Sequence, residues 1–164
     1  MVDYRNALKI DFTGMINGFE SFPGFNEDVC EIIRQKNHNV LIVIDHAIKM
    51  HANEPVCVTD HINLSGFNPL IGPNHESGER FPVMNNIYLT NGLPKIIAAG
   101  LKTGIVPSEE EFCLINTWGV SALCYNLIPT AIIAAHAGYK ILGVLTPENK
   151  ESIDKLNQYL LSLK

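Results

Sequence analysis

The feature that most constrains the fold is a continuous run of β-branched and apolar residues, Val40-Leu41-Ile42-Val43-Ile44. An unbroken apolar run is typical of a strand that is buried on both faces, as in a sheet covered by helices. Two later runs, Val120 to Cys124 and Ile141 to Leu145, indicate further buried strands. The sequence therefore predicts an α/β protein.

Other segments add strands and helices in alternation. Strands are predicted over Ala7 to Ile16 and Val56 to Thr59. The predicted helices cover Asp28 to Gln35 behind an Asn26 cap, a stretch from about Met84 that breaks near Gly92 and Pro94, Ser108 to Thr117, Ile128 to Gly138, and Glu148 to Leu163. Ser108 and Glu111 have the spacing of a capping box. This alternation predicts a sheet flanked by helices.

Composition limits the class of protein. The 164 residues, 46% of them hydrophobic, can bury one substantial core, so we expect a single domain over residues 1–164. A formal charge of −5, with lysines and arginines scattered singly, argues against nucleic acid as a partner. Early acidic residues and the lack of an apolar run near roughly 18 residues argue against a signal peptide and a membrane span. We expect a cytoplasmic protein with no nucleic-acid or membrane partner.

Neither a disulfide framework nor a metal site is predicted. Cys30, Cys57, Cys113 and Cys124 are widely spaced and lack a C-x-x-C pair, and three of them lie in apolar runs, which is typical of reduced core thiols. A metal site at Asp45, His46 and His51 would lack the helical spacing and the firm third ligand of zinc sites. We expect no metal and no other cofactor.

Residues 58–82 read VTDHINLSGFNPLIGPNHESGERFP. This run resembles the corresponding stretch of the trimeric purine nucleoside phosphorylases. The shared residues are Asp60 to Leu64, Gly66, Asn68 to Leu70, Gly72 to Asn74 and Arg80 to Pro82. The resemblance implies a phosphorylase-like twisted mixed sheet flanked by helices.

The resemblance continues on both sides of this run. Pro129 to Gly138 resembles the family's V-P-E-V-x-x-A-x-H-x-G helix, and Asn149-Lys150 resembles its T-N-K terminus. Met15 to Phe25 aligns with the segment R-F-H-x-Y-E-G-Y. The family's glycine/serine phosphate loop has no counterpart in Met1 to Thr13, and its histidine-bearing loop has none after Asn149. We therefore expect a shortened member, truncated at the N-terminus.

The phosphate-binding positions of the family carry different residues here. The aligned arginine is Gly18 and the aligned histidine is Glu20, while Phe22 and Pro23 replace a tyrosine and a glutamate. A carboxylate in place of a cation repels a phosphate dianion. The resemblance therefore implies a fold that has lost phosphate binding at this place.

The nucleoside-facing positions are altered as well. The family's N-A-A-G-G aligns with Asp45 to Lys49, where Ile48 adds bulk that glycine would not. Its G-M-S aligns with Cys124-Tyr125-Asn126, and its base-reading G-P-S-F-E-T aligns with Gly104 to Glu109 across a one-residue gap. The ligand-binding candidates are Phe22, Ala47, Phe81, Tyr125, Asn126 and Asn149. Asn149 is equally the type of residue that caps a helix.

Three residues are candidates for acid/base chemistry. His46 has Asp45 beside it, and Glu20 is predicted across the site, so a carboxylate could raise the pKa of the imidazole. The alternative is a surface-loop histidine. Asp60 and His61 also look like a dyad, but in the family they are strand-end and loop-anchoring groups.

The long loop that ends at Phe81 predicts assembly. In the trimeric phosphorylases the matching phenylalanine enters the neighbouring subunit's site, and loops of this length usually persist for a function. We expect a homotrimer or a hetero-oligomer with a paralogue.

Three functions fit the sequence. The first is a purine nucleoside phosphorylase homologue that has lost phosphorolysis and is a pseudoenzyme or a binding protein. Its ligand would be a nucleoside-like or apolar small molecule, or it would bind a partner through its surface. The second is an enzyme that uses Glu20, Asp45 or His46 for acid/base work on a small substrate without phosphate. The third is a residual nucleoside phosphorylase or hydrolase. Fold similarity cannot separate them, because function belongs to the site.

Overall fold

A mixed sheet forms the centre of the computed structural model, which describes residues 2–35, 37–76 and 78–163. Within those residues it has eight strands, in the order β2 (Glu20–Ser21), β1 (Leu8–Asp11), β3 (Val40–His46), β8 (Lys140–Thr146), β5 (Val56–Asn63), β6 (Lys95–Gly100), β7 (Val120–Cys124) and β4 (Lys49–Met50). Neighbours are parallel except at two places, where β5 runs antiparallel to β8 and β4 antiparallel to β7. The predicted α/β class and mixed sheet are confirmed.

The sheet curls back on itself near the end of β3. Ala47 still donates its backbone N–H to Thr146 of β8, but the next residue, Ile48, donates to Leu123 of β7. Strand β4 therefore follows β3 almost directly in sequence, but it pairs with β7, far from β3 in the strand order. This change of partner brings the ends of β3 and β7 together.

Four helices are described. They are α1 (Glu27–Arg34), α2 (Glu109–Asn116), α3 (Leu127–His136) and α4 (Lys150–Ser162). The predicted caps are confirmed, because Asn26 accepts from the backbone of Val29 and Ser108 forms a complete capping box with Glu111. Asn149 accepts from the backbone of Ser152 at the start of α4. Each cap satisfies amide groups that have no partner within the helix.

Strand β3 is buried on both faces, as its sequence predicts. Leu41 and Val43 pack in one cluster with residues of α1 and α3, whereas Ile42 and Ile44 pack in another with Ile153 and Leu156 of α4. Alternate residues of a strand point to opposite faces, so one run supplies both cores. A third cluster joins Phe112 of α2 to Val120 and Leu123 of β7.

Helix α3 lies unusually close to the sheet. A Cβ atom on Gly100 would come within 2.8 Å of Ile128, and one on Gly143 within 3.2 Å of Leu127. Both distances are shorter than ordinary van der Waals contact. These two glycines therefore let the start of α3 rest directly on the ends and middle of the strands.

The loop after β5 is held by its own side chains. Asn63 donates to the carbonyl of Phe67 at 2.8 Å, Asn68 accepts from the backbone of Leu70, and Asn74 donates to the carbonyl of Gly78. Asn74 also meets Nε2 of His136, at the end of α3, at 3.1 Å. Asparagine side chains substitute for backbone groups in turns, so these residues fix the shape of the loop.

Three predictions about single elements differ from the structure. The helix predicted from Met84 is wrong, because residues 84–94 are irregular, Asn86 has a φ of 59° and Tyr88 bridges to Ile141. The first strand covers only the Leu8–Asp11 part of its predicted range. Strand β6 was not predicted, because its sequence KIIAAG is short and ends in small residues of low β-propensity.

All four cysteines are free, and Cys30, Cys57 and Cys124 are buried as predicted, while Cys113 is exposed. No helix among the described residues is long and apolar enough to cross a bilayer.

Candidate functional site

The carboxyl ends of several strands meet at one edge of the sheet. Asn63, Gly100 and Cys124 are register partners at the ends of β5, β6 and β7. Hydrogen bonds from Asn126 to Asp45 bring the end of β3 to the same place. Ligand sites of α/β proteins usually lie outside the carboxyl ends of strands, so this edge is the candidate site.

A cavity of about 490 Å³ opens at this edge, and we call it the aromatic cavity. Its lining residues are Phe25, Ser65, Gly66, Phe67, Leu101, Lys102, Thr103, Tyr125, Asn126 and Pro129. Its volume lies in the range of small-molecule sites. The rings of Phe25 and Phe67 meet edge to face, with centroids 6.1 Å apart. The cavity thus combines apolar ring surfaces with the polar side chains of Ser65, Lys102, Thr103 and Asn126.

Tyr125 and Phe67 are both held in place by backbone contacts. The Tyr125 hydroxyl donates to the carbonyl of Ile105 at 2.9 Å, which fixes the ring between β7 and the loop after β6. The backbone N–H of Phe67 donates to the Ser65 hydroxyl oxygen, and the carbonyl of Phe67 accepts from Ser65 and Asn63. Its side chain nevertheless remains 50% exposed. These rings form preset walls rather than filling the cavity.

Asp45 lies beneath the cavity and is 2% exposed. Its carboxylate accepts from the backbone N–H groups of His46 at 2.9 Å, Asn126 at 2.8 Å and Leu127 at 2.9 Å, and from the Asn126 side chain at 3.1 Å. Burial raises the pKa of Asp45, and the hydrogen bonds from Asn126, Leu127 and His46 oppose that rise. Both carboxylate oxygens are therefore engaged at the first turn of α3.

Asn126 connects three chain segments. Besides donating to Asp45, its side-chain oxygen accepts from the backbone N–H of Phe25 at 3.0 Å. The loop that carries Phe25 is thereby attached to the start of α3. Asn126 lines the cavity, but its side-chain amide is occupied on both the donor and the acceptor side.

A second cleft of about 480 Å³ lies beside the first turn of α2. It contains Ala47, the ion pair of Lys49 with Glu109, and the imidazole of His51 stacked on Phe112 at 4.7 Å. The predicted ligand residues are consequently divided. Tyr125 and Asn126 face the aromatic cavity, whereas Ala47 faces the second cleft.

The structure does not bring the three predicted acid/base residues together. Glu20 is exposed on the edge strand β2, two strands away from β3, or roughly 10 Å at the usual strand spacing. Asp45 and His46 are consecutive strand residues, so their side chains project to opposite faces. The Nδ1 atom of His46 is buried and has no hydrogen-bond partner among the described residues.

The other predicted ligand residues lie apart from the aromatic cavity. Phe22 packs against Phe12, with ring centroids 6.5 Å apart. Phe81 is 81% exposed at the end of the long loop. Asn149 caps α4 and also meets Asn53 at 3.4 Å. Their roles in ligand binding stay predictions.

The sequence analysis missed Phe67 and Lys102. Phe67 lies inside the matched run but is not one of the residues shared with the family. An aromatic residue directly after the Ser65-Gly66 turn could have indicated a ligand-facing position. Lys102 follows β6 directly. The base-reading motif was aligned with Gly104 to Glu109, whereas residues 101–103 are those that reach the cavity. Recognition of β6 as a strand would have pointed to them.

His61 and Tyr88 form a separate, half-buried pair. The Tyr88 hydroxyl lies 2.8 Å from Nδ1 of His61, and burial lowers the pKa of His61. Burial also raises the pKa of Tyr88 well above its usual value. A neutral imidazole can accept a hydrogen bond from the Tyr88 hydroxyl, and this contact links residues 84–94 to β5.

Comparison with known proteins gives a consistent result. No family model matches the chain. It is 37% identical over 111 residues to purine nucleoside phosphorylase 1 of Bacillus subtilis, which covers 58% of this chain and 41% of the relative. It is 32% identical over 129 residues to the purine nucleoside phosphorylase of Rattus norvegicus, covering 66% of this chain and 45% of the relative. The chain therefore spans less than half the length of these two curated relatives.

Solved structures agree on the fold. The purine nucleoside phosphorylase of Schistosoma mansoni in a complex with BCX-34 superposes with a TM-score of 0.72 at 21% identity, covering 86% of this chain and 66% of that chain. A Schistosoma purine nucleoside phosphorylase in complex with guanosine superposes with a TM-score of 0.66 at 20% identity, covering 82% and 63%. In sequence this chain is similar to the purine nucleoside phosphorylases, and in fold it is similar to their solved structures.

Proposed function

We propose that the chain binds a planar, purine-like small molecule in the aromatic cavity and does not carry out phosphorolysis. The ring walls of Phe25, Phe67 and Tyr125 support a flat ligand, because aromatic side chains stack on planar rings. Two of the similar solved structures are complexes of Schistosoma purine nucleoside phosphorylase, one with guanosine and one with hypoxanthine. We propose a ligand of the same class, a purine or its nucleoside, for this chain.

The observation that carries this proposal is the position of the Asp45 carboxylate. The N-terminus of a helix is a common binding site for phosphate, because its amide groups have no partner within the helix. At α3 these amides, on Asn126 and Leu127, donate to Asp45 instead. An internal carboxylate thus occupies the place that an anion would take, and a free phosphate would meet its negative charge.

The aligned phosphate positions support the same conclusion. Gly18 has a φ of 80° in an exposed turn, and Glu20 places a carboxylate on the edge strand. Neither can supply the bidentate cation that commonly holds phosphate in proteins. We therefore propose that phosphorolysis is lost while the fold and a ligand cavity remain.

Calorimetric titration tests ligand binding. We expect guanosine and hypoxanthine to bind the purified protein, with affinities that inorganic phosphate does not change. Phe67→Ala should weaken binding about tenfold or more, because it removes one ring wall. Trp118→Ala is the matched control, since Trp118 is also aromatic and 53% exposed but does not line the cavity. Absence of binding by any purine would refute the ligand site.

An activity assay tests the loss of catalysis separately. Inosine is incubated with the protein, with and without phosphate, and release of hypoxanthine is followed. We expect no release in either condition. Release that requires phosphate would establish a residual phosphorylase, and release without phosphate would establish a hydrolase, so either result contradicts the proposal.

We also propose that the chain assembles as a homotrimer through the loop that carries Phe81. Ile71, Phe81 and Val83 are 80%, 81% and 75% exposed, although they lie on a loop fixed by Asn68 and Asn74. Exposed apolar groups on a preset surface are typical of an interface. Light scattering at micromolar concentration should give three times the chain mass, and Phe81→Asp should dissociate the assembly. A monomer of the parent protein would contradict self-assembly.

A further inference from the structure

The aromatic cavity carries one charged side chain. Among its ten lining residues, all within the described part of the chain, Lys102 is the one that is a lysine, arginine, aspartate or glutamate. No carboxylate of the described residues forms an ion pair with it, in contrast to Lys49 and Lys155, which pair with Glu109 and Glu151. Because an ammonium group donates hydrogen bonds and accepts none, Lys102 can bind an acceptor on a ligand in the cavity.

We infer that the ligand of the aromatic cavity is a planar ring that carries its own anionic group, held by Lys102. This inference rests on the proposed ligand site and names the ligand class more closely. The ring lies against Phe25, Phe67 and Tyr125, and the anion lies at the mouth, where the Thr103 hydroxyl is a further donor. The anionic group is a phosphate monoester or a carboxylate.

The buried Asp45 carboxylate restricts where the anionic group of a ligand can bind. Its carboxylate already uses the amides at the start of α3, so an incoming anion cannot bind there. The protein as a whole carries a formal charge of −5, which disfavours anions in general. Lys102 is thus the group that can offset a ligand charge at this edge, and it lies outside the buried layer that Asp45 occupies.

Two pairs of probes test this inference, and the two members of each pair differ only by an anionic group. Guanosine is compared with guanosine 5′-monophosphate, and indole is compared with indole-3-carboxylate, by calorimetry at low salt. We expect the anionic member of at least one pair to bind about two- to fivefold more tightly, the range of one exposed ion pair. The advantage should shrink as salt is added. The pair that shows it identifies the phosphate monoester or the carboxylate.

Three variants assign the effect to Lys102. Lys102→Met keeps most of the length of the side chain and should remove the advantage of the anionic member within each pair. Lys102→Arg should retain the advantage. Lys95→Met removes an equal charge from the other end of the same strand, β6, and should leave the advantage intact. Thermal melting of each variant confirms that it is folded.

The possible failures are distinct. If guanosine and indole bind but neither anion binds more tightly, or if Lys95→Met and Lys102→Met reduce the advantage equally, the inference about Lys102 is wrong and the ligand site stands. If no member of either pair binds, the ligand site itself is refuted and the inference falls with it.

Discussion

Asp45 and Asn126 lie 81 residues apart in sequence and are joined by two hydrogen bonds, one from the Asn126 backbone at 2.8 Å and one from its side chain at 3.1 Å. This contact attaches the end of β3 to the start of α3. Because Asn126 also accepts from Phe25, one side chain sets the position of one cavity wall. The anchor and the cavity therefore depend on each other.

Replacement of Asp45 should destabilise the protein strongly. Asp45→Ala would leave the amides of His46, Asn126 and Leu127 without their acceptor in a buried place, which should cost about 2–4 kcal/mol. The free energy of unfolding is measured by urea denaturation. Asp154→Ala, at an exposed position of α4, should change it by less than about 0.5 kcal/mol. Equal effects would show that Asp45 is not an anchor.

The close approach of α3 to β6 predicts an effect of a single methyl group. Gly100→Ala would place a Cβ atom 2.8 Å from Ile128 and should destabilise the protein by about 1–3 kcal/mol. Ile128→Ala alone should also destabilise it, through a cavity. In the double variant the two losses should be less than additive, as measured by a double-mutant cycle. Full additivity would contradict the contact.

Half-buried His61 predicts a loss of stability in acid. Its folded pKa lies below the ordinary 6.5, because burial disfavours the imidazolium. The unfolded chain therefore takes up the proton first, so the stabilising contribution is complete above pH 6.5 and is lost as the pH falls through the folded pKa. Urea denaturation between pH 7.5 and about pH 5 should show a smaller pH dependence in His61→Gln than in the parent. An equal pH dependence of stability in the variant and the parent would show that His61 does not cause it. His38→Gln is the control.

Thiol burial predicts selective labelling. Burial raises the pKa of Cys30 and of Cys57 to about 11, and it also raises the pKa of Cys124. These thiols stay protonated and shielded at pH 8, whereas Cys113 is exposed. A disulfide reagent at that pH should therefore modify one thiol in the native protein and four in denaturant. Rapid reaction of the Cys113→Ser variant would show that the core opens readily.

Much of the fold was predictable from local pattern. The apolar run at Val40 to Ile44 and the capping box at Ser108 act through neighbouring residues, and both predictions are confirmed. The spacing of Met84, Ile87 and Tyr88 is helical, but there the bridge to β8 determines the backbone. The periodicity of a sequence gives no information about pairing with a distant strand such as the one that contains Ile141.

The candidate site was less predictable because its walls come from distant parts of the chain. Phe25, Phe67 and Lys102 belong to three loops, and only the order of the strands brings them to one edge. Resemblance to the family supplied Tyr125 and Asn126, since those positions align directly. It could not supply residues that the family does not share, and these form most of the cavity.

The position of β8 affects how the protein is made. Strands β3 and β5 do not pair with each other, because β8 lies between them and joins them. During translation, β1 to β3 and β5 to β7 emerge as two separate groups whose facing edges are open until Thr146 has left the ribosome. Unpaired strand edges promote aggregation. Until then the nascent chain exposes these open edges, and chaperones that shield them should matter more for its yield than for its final stability.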